Sequence, residues 1–220
     1  DIGRSNDKGL TVEEIAAQAF VFFLAGFETS SSTMAFCLYE LALNSEVQDN
    51  LREEISKTFE RYNQNITYEG VMEMKYLDQV VDETLRKYPP VPVIPRVCVE
   101  DYQIPNTEVI IDKGTRVLIS ALGLHHDPEY YPNPDTFDPE RFNEENKKSI
   151  PPFTYIPFGE GPRACIGLRF GLMQTKVGLA FLLKHFRFSI NKKTSVPLVM
   201  DPFTFLLTAK DGIWLDVEKI

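Results

Sequence analysis

Apolar and polar positions along the chain alternate between two periods, and the switch between them marks most of the elements. Thr11 followed by Glu14 is a capping box, and it opens a helical pattern that runs to about Leu43. Its most apolar part, Ala16 to Phe27, is interrupted by Gln18 and followed by Glu28, so the sequence predicts no segment long enough to span a bilayer. A second, charged helix is expected over Glu46 to Tyr62 and a third over Met74 to Lys87, stopped by Pro89 and Pro90. From Val91 to about Leu122 the pattern breaks into short β-favouring runs, Val97–Val99, Val109–Ile111 and Val117–Ile119, separated by turn residues. His125 to Pro152 holds six prolines and no clear period, an unusually long loop for a compact domain, and such loops are functional or held by other elements. A glycine-rich loop, Phe158 to Gly167, leads into a last helix ending near His185, and the tail Val196 to Val217 alternates like a hairpin. The sum is a mainly α chain with small β-sheets. It contains no repeat and no low-complexity tract.

Composition narrows the function classes. Hydrophobic residues are 43% and charged residues 25% of the 220, as in an ordinary globular chain, so disorder is not indicated. That length makes one domain or part of a larger one. A net charge of −9 argues against nucleic acid as a partner, because phosphate demands a basic surface. The charge is unevenly spread: between Asn146 and Ser195 nine Lys or Arg stand against Glu160 alone, a net +8 that leaves −17 for the rest. Cys37, Cys98 and Cys165 are odd in number and far apart, which suits a reducing compartment better than a disulfide framework. The polar start, Asp1 to Gly9, has no apolar core and is not a signal peptide. His125 and His126 are adjacent, with no third ligand at metal spacing, and read as loop residues.

The richest chemistry lies in Pro157-Phe158-Gly159-Glu160-Gly161-Pro162-Arg163-Ala164-Cys165-Ile166-Gly167. A metal-binding thiolate needs its charge stabilised, and a helix N-terminus does so with free N–H groups and the positive end of the dipole. Cys165 stands just before an apolar helix, among glycines that let backbone approach a flat ligand, with the Arg163 cation close by to meet a carboxylate. This segment closely resembles the cysteine-loop signature of the cytochromes P-450, matching at Phe158, Gly161, Arg163, Cys165 and Gly167. Five such fixed positions arise by chance on the order of once in ten million starting points. The resemblance implies that Cys165 is the axial ligand of the iron in haem b (iron protoporphyrin IX). It also implies that Arg163 and Arg96 pair with the two haem propionates and that Phe158 and Ala25 lie against the cofactor.

Three further segments carry the same resemblance. Ala25-Gly26-Phe27-Glu28-Thr29-Ser30 is similar to the family's oxygen-binding groove, with Ala25 and Thr29 four apart on one helix face. A mid-helix Thr can bond back to the carbonyl four residues earlier and open a polar notch. By likeness, Glu28 and Thr29 organise proton delivery, with Glu28 where many members carry Asp. Glu83 and Arg86, three apart on a helix, together with Arg141 of Phe137-Asp138-Pro139-Glu140-Arg141-Phe142, resemble the family's buried triad that locks the long loop, a structural role. Leu24, Val91, Val93, Phe203 and Phe205 fall where the family lines its substrate pocket, although Phe203 and Phe205 serve equally as the core of a hairpin.

The likeness runs from the groove helix to the tail and is closest to insect microsomal members. It implies a cytochrome P-450 fold in which residues 1–220 form the C-terminal, haem-binding part of a single domain, the N-terminal half and membrane anchor being absent. The implied reaction inserts one oxygen atom of dioxygen into an apolar small-molecule substrate, as in xenobiotic oxidation. Electrons come from NADPH through NADPH-cytochrome P-450 reductase at the cytoplasmic face of the endoplasmic reticulum membrane. The basic stretch, Lys176 and Lys184 included, reads as a docking face for that donor. Two rivals stand beside this reading: a haem-thiolate isomerase or dehydratase, which needs no reductase, and a haem-binding but inactive fragment.

Overall fold

A computed structural model describes residues 9–220. The expectation for the polar start falls, Gly9 apart, outside the described residues. Helix α1 spans Val12–Leu43, and Thr11 begins it as expected: its hydroxyl accepts from the Glu14 N–H, while the Glu14 carboxylate accepts from the Thr11 N–H. Asn44 closes α1, donating from its side chain to the Glu40 carbonyl, and α2 (Ser45–Arg61) starts at once. A short helix the sequence pattern did not reveal, α3 (Tyr68–Glu73), is started by the Thr67 hydroxyl, which accepts from Gly70 N–H. Six residues are too few to show a helical period. The start of α4 (Lys75–Lys87) is capped from a distance: the Glu54 carboxylate of α2 accepts from the N–H groups of Tyr76 and Leu77 at 2.8 and 2.9 Å.

Three two-stranded antiparallel sheets follow. Strand β1 (Val93–Val97) pairs with β4 (Arg116–Ser120), β2 (Tyr102–Gln103) with β3 (Ile110–Ile111), and β5 (Phe186–Ile190) with β6 (Leu215–Lys219). The first strand lies earlier than the Val97–Val99 run predicted. It tolerates Pro95 because each strand of a two-stranded sheet has a free edge where a missing N–H is harmless. The tail is a hairpin only at one bridge, Met200 with Ala209, and its last strand turns back to β5. Helix α5 (Ala121–His125) leads into the long loop, which contains 3₁₀ turns at Pro139–Phe142 and Asn146–Ser149. Helix α6 (Leu168–His185) completes the order.

The core lies where α1, α2, α4 and α6 meet, around Cys37, Leu41, Leu51, Ile55, Leu77, Leu179 and Leu183, all fully buried. Gln48 is buried with them, and it donates to the carbonyls of Leu41 and Phe188 while accepting from Phe188 N–H, which fastens β5 to α1 and α2. Helices α1 and α6 approach so closely that a Cβ on Gly178 would lie 2.5 Å from the Met34 sulfur. The first half of α1 is different: Phe20, Val21, Phe22, Phe23, Leu24 and Phe27 are exposed. The expectation of no spanning segment needs correction, since α1 carries an 18-residue window of mean hydropathy 1.3 and is long and apolar enough to cross a membrane. Glu28 interrupts the run, yet the mean still reaches that of a spanning helix. A core helix passes the same test, and the buried second half of α1 is one.

Candidate functional site

An open-sided cavity of about 240 Å³ lies between α1, the C-terminal half of α4, β1 and the loop before α6. Its walls are mainly apolar, from Val81, Leu85, Val91, Ile94 and Leu172, and Thr29, Ser30, Thr175, Arg96, Arg163 and Cys165 line it as well.

The cysteine loop owes its shape to two glycines in the left-handed region, Gly159 at φ 70° and Gly161 at φ 75°. They allow Cys165 N–H to donate back to the Phe158 carbonyl at 2.9 Å and Ala164 N–H to the Gly161 carbonyl at 3.0 Å. The free thiol of Cys165 is exposed, just ahead of Gly167, the N-cap of α6, so it sits at the positive end of an 18-residue helix. The other cysteines are spoken for. Cys37 is fully buried, and burial pushes its thiol up to about 12, while Cys98 donates to the Glu100 carbonyl. Arg96 crosses from β1, held by its own donation to the Pro95 carbonyl at 2.9 Å, and a Cβ on Gly159 would be 3.7 Å from its guanidinium. Arg96 and Arg163 thus place two cations on the cavity that holds the thiol.

On α1, the Thr29 hydroxyl donates to the Ala25 carbonyl at 2.7 Å and the Thr33 hydroxyl to the Thr29 carbonyl at 2.9 Å. Thr29 lines the cavity, whereas Ala25 and Glu28 are exposed and do not. Of the residues expected to touch substrate, Val91 lines the cavity. Val93 does not, because side chains alternate along β1 and those of Ile94 and Arg96 take the inner face. Leu24 lies exposed on α1, and Phe203 and Phe205 are 95% and 73% exposed on a turn where Asp201 accepts from Phe203 N–H. None of these four lines the cavity that the described residues form. Of the residues missed, Thr33 stands four after Thr29, Leu172 stands seven after Cys165, and Val81 and Leu85 are four apart on α4, so helical spacing was the available signal for these; Ser30 and Thr175 had none.

Beneath the cavity the long loop is clamped. Arg86 and Glu83 are wholly buried and bond twice, at 2.7 and 2.8 Å, and the Arg141 Nε lies 3.5 Å from the same carboxylate. Arg86 also donates to the carbonyls of His125 and Pro134, each at 2.8 Å, and Arg141 to that of Asn133 at 3.0 Å. Asp138 N–H donates to Glu83 at 2.9 Å. His125, read from sequence as an ordinary loop residue, is fully buried here: its Nδ1 is 3.1 Å from the Arg86 carbonyl, and its Nε2 accepts from Ile156 N–H at 2.9 Å.

The basic stretch needs a correction too. Lys176 is buried and paired with Asp78, Lys147 pairs with Asp82 at 2.8 Å, Arg187 pairs with Asp49, and Lys184 lies over the Phe59 ring. Burial of the α6–α4 interface draws Lys176 inward, so it belongs to no docking face.

An α-rich scaffold that presents one exposed thiol at a helix N-terminus, on an apolar cavity crossed by two guanidiniums, is that of a protein built to hold a flat, acidic, metal-centred group. The chain belongs to the cytochrome P-450 family, whose model matches residues 2–215. It is 54% identical over 88% of its length to cytochrome P-450 6l1 of Blattella germanica and 52% identical over 97% to cytochrome P-450 6a8 of Drosophila melanogaster. It is 50% identical over 96% to cytochrome P-450 6A1 of Musca domestica. The chain spans 39%, 42% and 42% of the length of these three relatives. The family implies haem, and the residues present fit it: a soft thiol for the metal, two cations for propionates, and a glycine loop with apolar walls for the macrocycle.

Proposed function

We propose that residues 1–220 form the C-terminal, haem b-binding part of a longer monooxygenase domain that oxidises apolar small molecules, xenobiotics among them. The observation that carries this reading is the single exposed thiol of Cys165 at the start of α6, sharing one cavity with Arg96, Arg163 and Thr29. Haem, when bound, supplies the activation of dioxygen, and a thiolate ligand favours O–O cleavage. The chain's own residues do the rest. Cys165 ligates, with its negative charge offset by the α6 N-terminus. Arg96 and Arg163 orient the macrocycle through its propionates, and Phe158 packs against it. Val81, Leu85, Val91 and Ile94 exclude water and hold an apolar substrate. Thr29, with its hydroxyl aimed by the Ala25 carbonyl, holds a proton at Oγ1 on the cavity wall, and Glu28 next to it feeds protons from solvent.

In this reading electrons come from NADPH through NADPH-cytochrome P-450 reductase at the cytoplasmic face of the endoplasmic reticulum. The test is a pair of measurements on the full-length enzyme. The reduced protein should give a thiolate-type carbon monoxide spectrum, and with dioxygen as the only oxidant supplied product should form only with NADPH and reductase. Rearrangement of an added peroxide without any reductase would replace this reading with that of an isomerase.

A further inference from the structure

His125 is fully buried at the head of a proline-rich loop, against Arg86. The two residues bind each other reciprocally: the Arg86 side chain donates to the His125 carbonyl, and the His125 ring meets the Arg86 carbonyl. The opposite ring nitrogen accepts from Ile156 N–H. An amide N–H can only donate and a carbonyl can only accept, so the two partners together demand a neutral ring with its proton on Nδ1. Ile156 is the residue before Pro157, and Pro157, Phe158 and Gly159 line the cavity. From Ile156 the chain is stitched onward by Gly159 N–H to the Ile156 carbonyl and by Cys165 N–H to the Phe158 carbonyl, at 3.0 and 2.9 Å.

We propose that His125 is a positioning residue for the cysteine loop, transmitting the anchorage of the Glu83–Arg86 pair to the backbone that aims Cys165. This rests on Cys165 being the ligand. Without the ring acceptor the buried Ile156 N–H is orphaned, and the segment must shift to find another partner. The loop, rather than the whole fold, is what then moves.

The same geometry makes the pin sensitive to acid. A protonated ring carries donors on both nitrogens, so it cannot accept from Ile156 and it places a second charge beside Arg86. The groups facing the ring are the Arg86 cation from α4, with Glu83 behind it, the neighbouring His126, and the rings of Tyr131 and Tyr155 at 6.4 and 5.5 Å between centroids. Burial first, with the charges of Arg86 and His126 adding to it, lowers the His125 pKa to about 4. Because a released loop takes up the proton more readily than the pinned one, the pin is intact above the ordinary histidine range and is lost as pH falls toward that value.

The test uses the haem-loaded, full-length enzyme and the carbon monoxide spectrum of its reduced form. His125→Phe keeps an aromatic ring but no acceptor, and His125→Gln offers an amide oxygen to Ile156 that acid in this range does not protonate. At neutral pH the share of folded holoprotein lacking the thiolate-type band should rise at least roughly tenfold in His125→Phe, the population expected from one lost buried bond. His125→Gln should keep the band and hold it to a pH at least about one unit lower than the wild type does. A wild-type band in folded His125→Phe overturns the proposal. So does an unmoved acid midpoint in His125→Gln, which decides the matter alone where the Phe variant fails to fold. Absence of the band from the wild type would be a different failure, that of the ligand assignment itself.

Discussion

Replacing Glu83 by Gln keeps its volume and removes its charge at the best-buried ion pair of the described residues. In the wild type this carboxylate accepts two bonds from Arg86 and one from Asp138 N–H and faces Arg141. After substitution the Arg86 guanidinium, wholly buried, retains the carbonyls of His125, Pro134 and Thr136 and the single amide oxygen of the new glutamine as partners, none of which carries charge. Breaking a buried pair from one side costs about 3–5 kcal/mol, which is a large share of the ~5–15 kcal/mol that separates a native domain from its unfolded state. In a holoenzyme domain more than twice as long as this chain, at roughly 1 °C per kcal/mol, the melting temperature should fall by roughly 3–5 °C. Arg141→Gln should cost less, about 1–3 kcal/mol, because its contact is longer and its side chain is 14% exposed. Thermal melts of the holoenzyme followed by circular dichroism, with haem content measured alongside, test both. A Glu83→Gln melt within about 2 °C of the wild type would refute the clamp, and so would a larger loss at Arg141 than at Glu83.

Cys165→Ala should abolish the thiolate-type carbon monoxide band, while Cys98→Ala keeps it and Cys37→Ala keeps it at a cost of roughly 1–2 kcal/mol of core packing. Survival of the band in Cys165→Ala would end the ligand assignment. Thr29→Ala should retain haem and substrate binding yet lower the product formed per NADPH by roughly tenfold or more, the lost equivalents appearing as peroxide; unchanged coupling would count against the proton role. Arg169 is exposed in the first turn of α6, where an acid also suits the helix dipole, so Arg169→Glu should leave the fold intact. It should slow reductase-driven turnover most at low ionic strength and spare peroxide-driven turnover, and a parallel fall in both would remove docking as its role.

Helix limits were legible because their causes are local. The Thr11–Glu14 box and the Pro89–Pro90 stop act within a few residues, and both ends lie where those signals put them. The thiol loop was legible for the same reason, since its glycines, arginine and cysteine sit within one short run. The pocket was less so: Ile94 and Arg96 face inward and Val93 outward because β1 pairs with β4 in a register that Val93 alone does not reveal. The same limit hid the role of Lys176. Counting charges along the chain put it on a basic face, whereas its partner Asp78 belongs to another helix, and only packing brings the two together.

The long loop resolves into a question of where its backbone groups go. A segment with six prolines and no period cannot satisfy its carbonyls through a helix or a ladder, yet buried carbonyls must be paired. Here Arg86 and Arg141 take the carbonyls of Asn133, Pro134, Thr136 and His125, and Glu83 takes the N–H of Asp138. A guanidinium with five donors and no acceptor suits this work, since one buried cation can serve several carbonyls while its charge is balanced by Glu83. A lysine at position 86 would carry the same charge but could not hold a carboxylate at two points and three carbonyls together. The triad therefore stands in for secondary structure, and His125 extends its reach to Ile156, where the loop that carries the thiol begins.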